Sequence, residues 1–194
     1  MTEQQYQDLI QPYMDAVENL MVRFDTLNKD YQRNYQECPI HHIQSRIKAR
    51  KSLSGKLSRR SLPDSVQAAK EEIMDIGGIR VICYFTQDVY NTVALLKKQT
   101  DLIIVKEVDY IKAPKPNGYR SFHVVFAVPI YHADGKEYYP VEVQFRTLSM
   151  DLWASMEHRI CYKKQPEDKK AISQELLLYA QELGVIEDGF QQHR

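Results

Sequence analysis

From Val141 to Arg146 the chain reads VEVQFR, apolar and polar side chains alternating without a fault. Successive side chains on a strand point to opposite faces. Val141, Val143 and Phe145 must therefore enter a core while Glu142, Gln144 and Arg146 share the other side. This stretch commits the chain to a sheet with one dry face and one wet face. A half-buried antiparallel strand with a solvated side is the ordinary outcome. A catalytic floor requires other segments to deliver chemistry to the same face.

The neighbouring sequence supplies the rest of such a sheet. GGIRVICYF (77–85) and LIIVKEVDYI (102–111) are rich in β-branched residues and read as strands, with a helix between them over about 88–98. SFHVVFAVPIY and KEYYPVEVQFR are two more, joined through Ala133-Asp134-Gly135, where Asp-Gly signals a hairpin turn. Before them, Tyr6, Ile10, Tyr13, Val17, Leu20, Phe24, Leu27 and Tyr31 alternate steps of four and three, the seam of a long helix over 4–35. That seam needs a partner, and the terminal helix is one candidate. Residues 64–74 suit a short helix. A further helix follows from about Leu148 to Lys164, and Ile172, Leu176, Tyr179 and Leu183 mark a last one after Pro166. The expected architecture is α+β: a mixed sheet of about five strands flanked by helices, with long N- and C-terminal helices. Residues 1–194 are expected to form one domain, with an N-terminal helix over 1–36, a core over 40–164 and a C-terminal helix over 167–194.

Lys plus Arg and Asp plus Glu number 26 each, so no overall basic charge advertises nucleic acid. The charge is uneven along the chain, however. No acid occurs from Cys38 to Pro63, a window holding Arg46, Lys48, Arg50, Lys51, Lys56, Arg59 and Arg60. A second acid-free window, Tyr110 to Ala133, contains Lys112, Lys115 and Arg120. One such run is ordinarily a solvated face; two of them bracketing strands with exposed carboxylates suit a polyanion beside a metal. Cys38, Cys83 and Cys161 lack CxxC spacing and read as reduced thiols of a cytoplasmic protein. The N-terminus shows no signal-peptide pattern, and no apolar run reaches the ~20 residues that cross a bilayer.

Gly55-Lys56 does not complete a P-loop, since Arg50 and Leu57 occupy the flanking motif positions. DIGGIR lacks the third glycine of a dinucleotide fingerprint. Asp75 precedes a strand and Glu142 lies within one; carboxylates on adjacent strands can share Mg²⁺, which takes hard oxygen ligands and keeps waters and phosphate oxygens. In DYIKAPKPNGYRSFH, Pro114 and Pro116 stiffen a loop that Asn117-Gly118 turns. Tyr119 is then either a packed loop residue or a stacking platform for a base. The six histidines show no ligand spacing, so zinc is not expected.

SRIKARKSLSGKLSRR, DIGGIRVICYF, DYIKAPKPNGYRSFH and VEVQFRTLSMDLWASMEH, in that order, resemble the small alarmone synthetases. These are the single-domain members of the RelA/SpoT family of (p)ppGpp synthetases. The resemblance implies a nucleotidyltransferase-like fold and transfer of the β,γ-pyrophosphate of ATP to the 3′-hydroxyl of GDP or GTP, with release of AMP. It implies that Arg46 and Arg80 sandwich adenine, that Lys48, Lys56 and Arg59 meet ATP phosphates, and that Asp75 and Glu142 bind Mg²⁺. Glu142 would also take the proton of the attacking hydroxyl. Tyr119 would stack on guanine, with Lys112, Lys115, Asn117, Arg120, His123 and Gln144 lining the acceptor side. It further implies a homotetramer built through helices and, with no hydrolase domain, synthesis without hydrolysis. Cys161 departs from the Asn of several small members, and His42 and Gln44 from the Phe and Thr of an allosteric alarmone site. A non-catalytic RNA-binding module, or a nucleotidyltransferase that transfers NMP, are the alternatives.

Overall fold

The computed structural model describes residues 1–161 and 166–193, and side chains in the last helix from Ile172 onward. In chain order the elements are α1 (Glu3–Tyr35), β1 (Ile40–Ile47), α2 (Arg50–Arg59), α3 (Val66–Glu72), β2 (Gly77–Cys83), α4 (Thr86–Lys97), β3 (Ile103–Asp109), β4 (Phe122–His132), β5 (Gly135–Thr147), α5 (Leu148–Cys161) and α6 (Pro166–Gln191). The strands form one sheet in the order β1-β2-β5-β4-β3. Only β2 and β5 run parallel.

The alternation in VEVQFR decides which face is which. Val141, Val143 and Phe145 are fully buried, together with Val81, Val124 and Phe126 of the neighbouring strands. α1 lies across this apolar face, its Phe24 ring 5.9 Å from that of Phe145. Val89, Val93 and Leu96 of α4 complete the same core. The seam of α1 is thus buried against the sheet of its own chain. The sheet, not the candidate terminal helix, is its partner, because a four-three stripe fits a flat apolar face as well as another helix. α1 starts at a capping box in which the Thr2 hydroxyl and Gln5 side chain each serve the other's backbone amide.

β1 was not foreseen. Its apolar residues Ile40, Ile43 and Ile47 are spaced three and four apart, a helical rhythm, and a register shift between Ile40 and His42 breaks the alternation of an edge strand. α5 and α6 pack on each other through Trp153, Ala154, Leu176 and Ala180. The Trp153 indole donates to the carbonyl of Leu176 at 2.7 Å. Tyr162-Lys163, beside Cys161, lies outside the described residues.

Candidate functional site

Strand register assembles the wet face in rows. Arg46 of β1 lies opposite Gly78 of β2, which lies opposite Glu142 of β5. In the next row Gln44, Arg80, Gln144 and His123 follow across four strands. The Arg46 side chain lies over Gly78, where a Cβ would make ordinary contact at 3.6 Å with its Cγ and Nε. Arg46 and Arg80 are diagonal neighbours, roughly 7–8 Å apart by sheet geometry, and both line the same depression.

Glu142 borders two depressions. One, about 80 Å³, is lined by Gln44, Arg46, Gly78, Arg80, Gln144 and Glu142. The other, about 240 Å³, is lined by Lys106, Val108, Tyr110, Lys115, His123, Val125 and Glu142. Lys106 and Tyr110 escaped sequence reasoning, although both lie on or beside the β3 run that reading identified. The signal that finds them is register, since Lys106 pairs with Val125, itself opposite Glu142.

A closed ring of contacts fixes the floor. Arg146 Nη2 donates to the Tyr119 hydroxyl at 2.9 Å and to Gln144 Oε1 at 3.0 Å. Gln144 Nε2 donates to Glu142 Oε2 at 2.9 Å. The Tyr119 hydroxyl and His123 Nε2 share a hydrogen bond of 2.8 Å, and His123 Nδ1 lies 3.6 Å from Glu142 Oε1. The His123 ring, and then Gln144, hold the Glu142 carboxyl below its ordinary range against burial and the Asp75 charge. Glu142 is therefore an anion that borders both depressions.

Asp75 stands at the entrance to β2. Its carboxylate takes Lys48 at 2.9 Å and Lys56 at 2.8 Å. Burial pushes it up, and the two ammonium groups more than reverse that, so it stays ionised. Two anions lie close enough for Asp75 to oppose the ionisation of Glu142. Among the described residues no three His, Cys, Asp or Glu groups form a self-sufficient metal cage. Asp75 and Glu142 are ionised oxygen donors of the type that suits Mg²⁺ together with water and phosphate oxygens, and in this structure both Asp75 oxygens are held by Lys48 and Lys56.

The acceptor loop is less uniform than the sequence suggests. The Lys115 ammonium sits 4.8 Å from the Tyr110 ring centroid and 4.7 Å from that of Tyr119, while the Arg146 guanidinium lies 5.3 Å from the latter. Tyr119 is half-buried rather than sealed in the core. Asn117 turns the loop by accepting from the Tyr119 amide at 3.2 Å. Lys112 lies over the Tyr90 ring at 5.3 Å, outside both depressions. Arg120 points to α6, its Nη2 2.6 Å from Glu187. Arg59 stays exposed on α2. Two residues hold the centre: Arg146, which the alternation put on the wet face without a site role and which is only 5% exposed, and Asp151, absent from the expected site, which binds Arg146 at 3.0 Å and Arg80 at 3.3 Å.

Comparison with known proteins gives concordant results. A family model described as "Region found in RelA / SpoT proteins" matches residues 45–167. The chain is 42% identical over 164 residues to the GTP pyrophosphokinase YwaC of Bacillus subtilis, covering 84% of this chain and 78% of that protein. It superposes on the small alarmone synthetase 1 of Bacillus subtilis bound to its product pppGpp with a TM-score of 0.87 and 30% identity, covering 99% and 97% of the two chains. The same synthetase bound to AMPCPP gives a TM-score of 0.80 and 27% identity, with 98% of each chain covered.

Proposed function

The chain belongs to the RelA/SpoT family, and from that premise we propose that it is a GTP pyrophosphokinase. It moves the β,γ-pyrophosphoryl group of ATP to the 3′-hydroxyl of GDP or GTP, giving ppGpp or pppGpp and AMP. The observation that carries this reading is the place of Glu142, a single ionised carboxylate on the wall between two depressions. Donor and acceptor can then meet across one general base.

Arg46 and Arg80 hold adenine in the smaller depression, and Lys48 and Lys56 turn from Asp75 toward the ATP phosphates. Asp75 and Glu142 would hold a Mg²⁺ ion, which would supply neutralisation of phosphate charge. The guanine nucleotide occupies the larger depression against Tyr119, with Lys115 swinging off the Tyr119 ring to meet phosphate. The 3′-oxygen attacks the β-phosphorus, the bond from that phosphorus to the oxygen bridging it to the α-phosphorus breaks, and AMP leaves with the bond's electrons. Glu142 accepts the hydroxyl proton, a transfer a sugar hydroxyl needs at neutral pH. Gln144 and His123 keep the receiving carboxylate in place. The cations supply most of the remaining stabilisation, since phosphoryl transfer is chiefly positioning and charge neutralisation.

The protein's three free cysteines suit the cytoplasm. Among the described residues no helix is long and apolar enough to cross a membrane. Assembly into a homotetramer is supported by apolar side chains exposed on α5 and α6, among them Leu152, Met156, Ile186 and Phe190. Incubation with Mg²⁺, ATP and GDP tests the activity. AMP and a guanosine nucleotide with a new 3′-pyrophosphate support it. Free pyrophosphate in place of AMP would select NMP transfer, and no turnover with strongly salt-sensitive RNA binding would select the RNA-binding module.

A further inference from the structure

Glu187 of α6 is a carboxylate that the chemistry above does not use, yet it is only 6% exposed. Three elements converge on it. Arg120 Nη2 donates to Oε2 at 2.6 Å, the Ser149 hydroxyl at the start of α5 donates to the same oxygen, and the Thr86 hydroxyl at the start of α4 donates to Oε1 at 3.1 Å. Such a charge-assisted cluster, largely shielded from water, holds its members in one arrangement.

The backbone around Arg120 is fitted to the same helix. Gly118 turns with φ +92°, and any Cβ there would stand 2.7 Å from Cβ of Ala180. Gly184, one turn further along α6, lets Arg120 pass, since a Cβ would come 3.1 Å from its Nη1. The other side of the loop is tied to the sheet, where the Tyr110 amide bonds the Ser121 carbonyl at 2.9 Å. Tyr119 sits between these two anchors, next in sequence to the arginine that α6 grips.

We propose that Glu187 and Arg120 form a latch by which the C-terminal helix positions the loop 110–121, so that α6 sets the affinity for the guanine nucleotide. Arg120 is then a positioning residue, not a ligand of the acceptor phosphates. The proposal rests on the pyrophosphokinase reading and adds to it the element that governs acceptor binding.

A double-mutant cycle tests it. Glu187→Met and Arg120→Met each remove the bond at similar volume, and the loss of one charge-assisted bond corresponds to roughly tenfold or more in affinity. Each variant is expected to raise KM for GDP about tenfold while leaving the Kd of a non-hydrolysable ATP analogue unchanged. The double variant is expected to be no worse than either single one. Thr86→Val and Ser149→Ala, which remove the other donors, are expected to lower the thermal midpoint with the GDP KM held. If Arg120 instead binds acceptor phosphate, Arg120→Met alone raises KM while Glu187→Met leaves it or lowers it, and the latch is overturned. Glu187→Gln, which keeps the shape, replaces Glu187→Met if that variant does not fold, with a raised KM still required. Hydrogen exchange over 110–121 gives a readout independent of turnover. Both single variants should accelerate it, and unchanged exchange overturns the latch. An inactive wild-type protein whose loop is protected through Glu187 would instead refute the pyrophosphokinase reading and keep the mechanical contact.

Discussion

Glu142 carries the greatest functional load of any residue, and its surroundings tell what its replacement does. Glu142→Gln retains the hydrogen-bonding shape that Gln144 and His123 recognise but cannot take a proton. The expected result is a fall in kcat of about 10²–10⁴-fold, read by rapid-quench assay. Arg146 is the more instructive case, because VEVQFR displays it plainly while the carried-over site omits it. Its guanidinium joins Asp151, Gln144 and the Tyr119 hydroxyl, so it acts on the reaction through residues that touch substrate. Arg146→Met leaves Asp151 without that partner and frees Tyr119. A loss of about tenfold or more in kcat/KM for GDP is expected, larger than for Arg146→Lys, which keeps the charge and one donor nitrogen. Equal loss in both variants would show that the planar fork is unimportant.

Among the elements, the helix-to-sheet contact between α1 and β2 depends on the absence of a side chain. A Cβ on Gly77 would stand 2.9 Å from Cγ2 of Val17, and 3.5 Å from the Tyr13 carbonyl. Val17 is buried and β-branched, so it has little freedom to turn aside. Gly77→Ala should therefore destabilise the protein by about 1–3 kcal/mol, measured by urea unfolding, whereas Gly189→Ala, with nothing within 4 Å, should cost no such penalty from crowding. Gly77 thus admits the helix on the dry face, whereas a Cβ on Gly78 would make only ordinary contact with Arg46 on the wet one.

For the whole molecule, pH and assembly are the informative variables. Burial pushes the Tyr13 hydroxyl from its ordinary 10.0 up to about 12 and, with help from the Asp88 charge, the Cys83 thiol from 9.0 up to about 12. These groups ionise first in the unfolded chain. The stability they contribute is complete below pH 9 and declines as pH rises toward 12. Alkaline unfolding is expected to begin above pH 9, and Tyr13→Phe should weaken its pH dependence. Asp75 and Glu142 work in the opposite sense, since their lowered values contribute stability above the ordinary 3.8 and 4.5 that is lost as pH falls through the lower native values. For assembly, Ile186→Asp with Phe190→Asp should reduce the oligomer's mass by light scattering if α6 forms an interface between copies, and no change would exclude that face. The sequence by itself determined the sheet, the long helices and the family, because alternation, seams and ordered motifs are local along the chain. It also specified that Glu142 and Gln144 share a face. It left β1 hidden, since an edge strand with apolar residues three and four apart carries no period of two. Only the tertiary structure decided that the α1 seam faces the sheet, that Arg146 and Asp151 brace the floor, and that Arg120 turns to Glu187, 67 residues away. Those outcomes depend on register and on packing between distant segments, and no local pattern records which buried charge will find which partner.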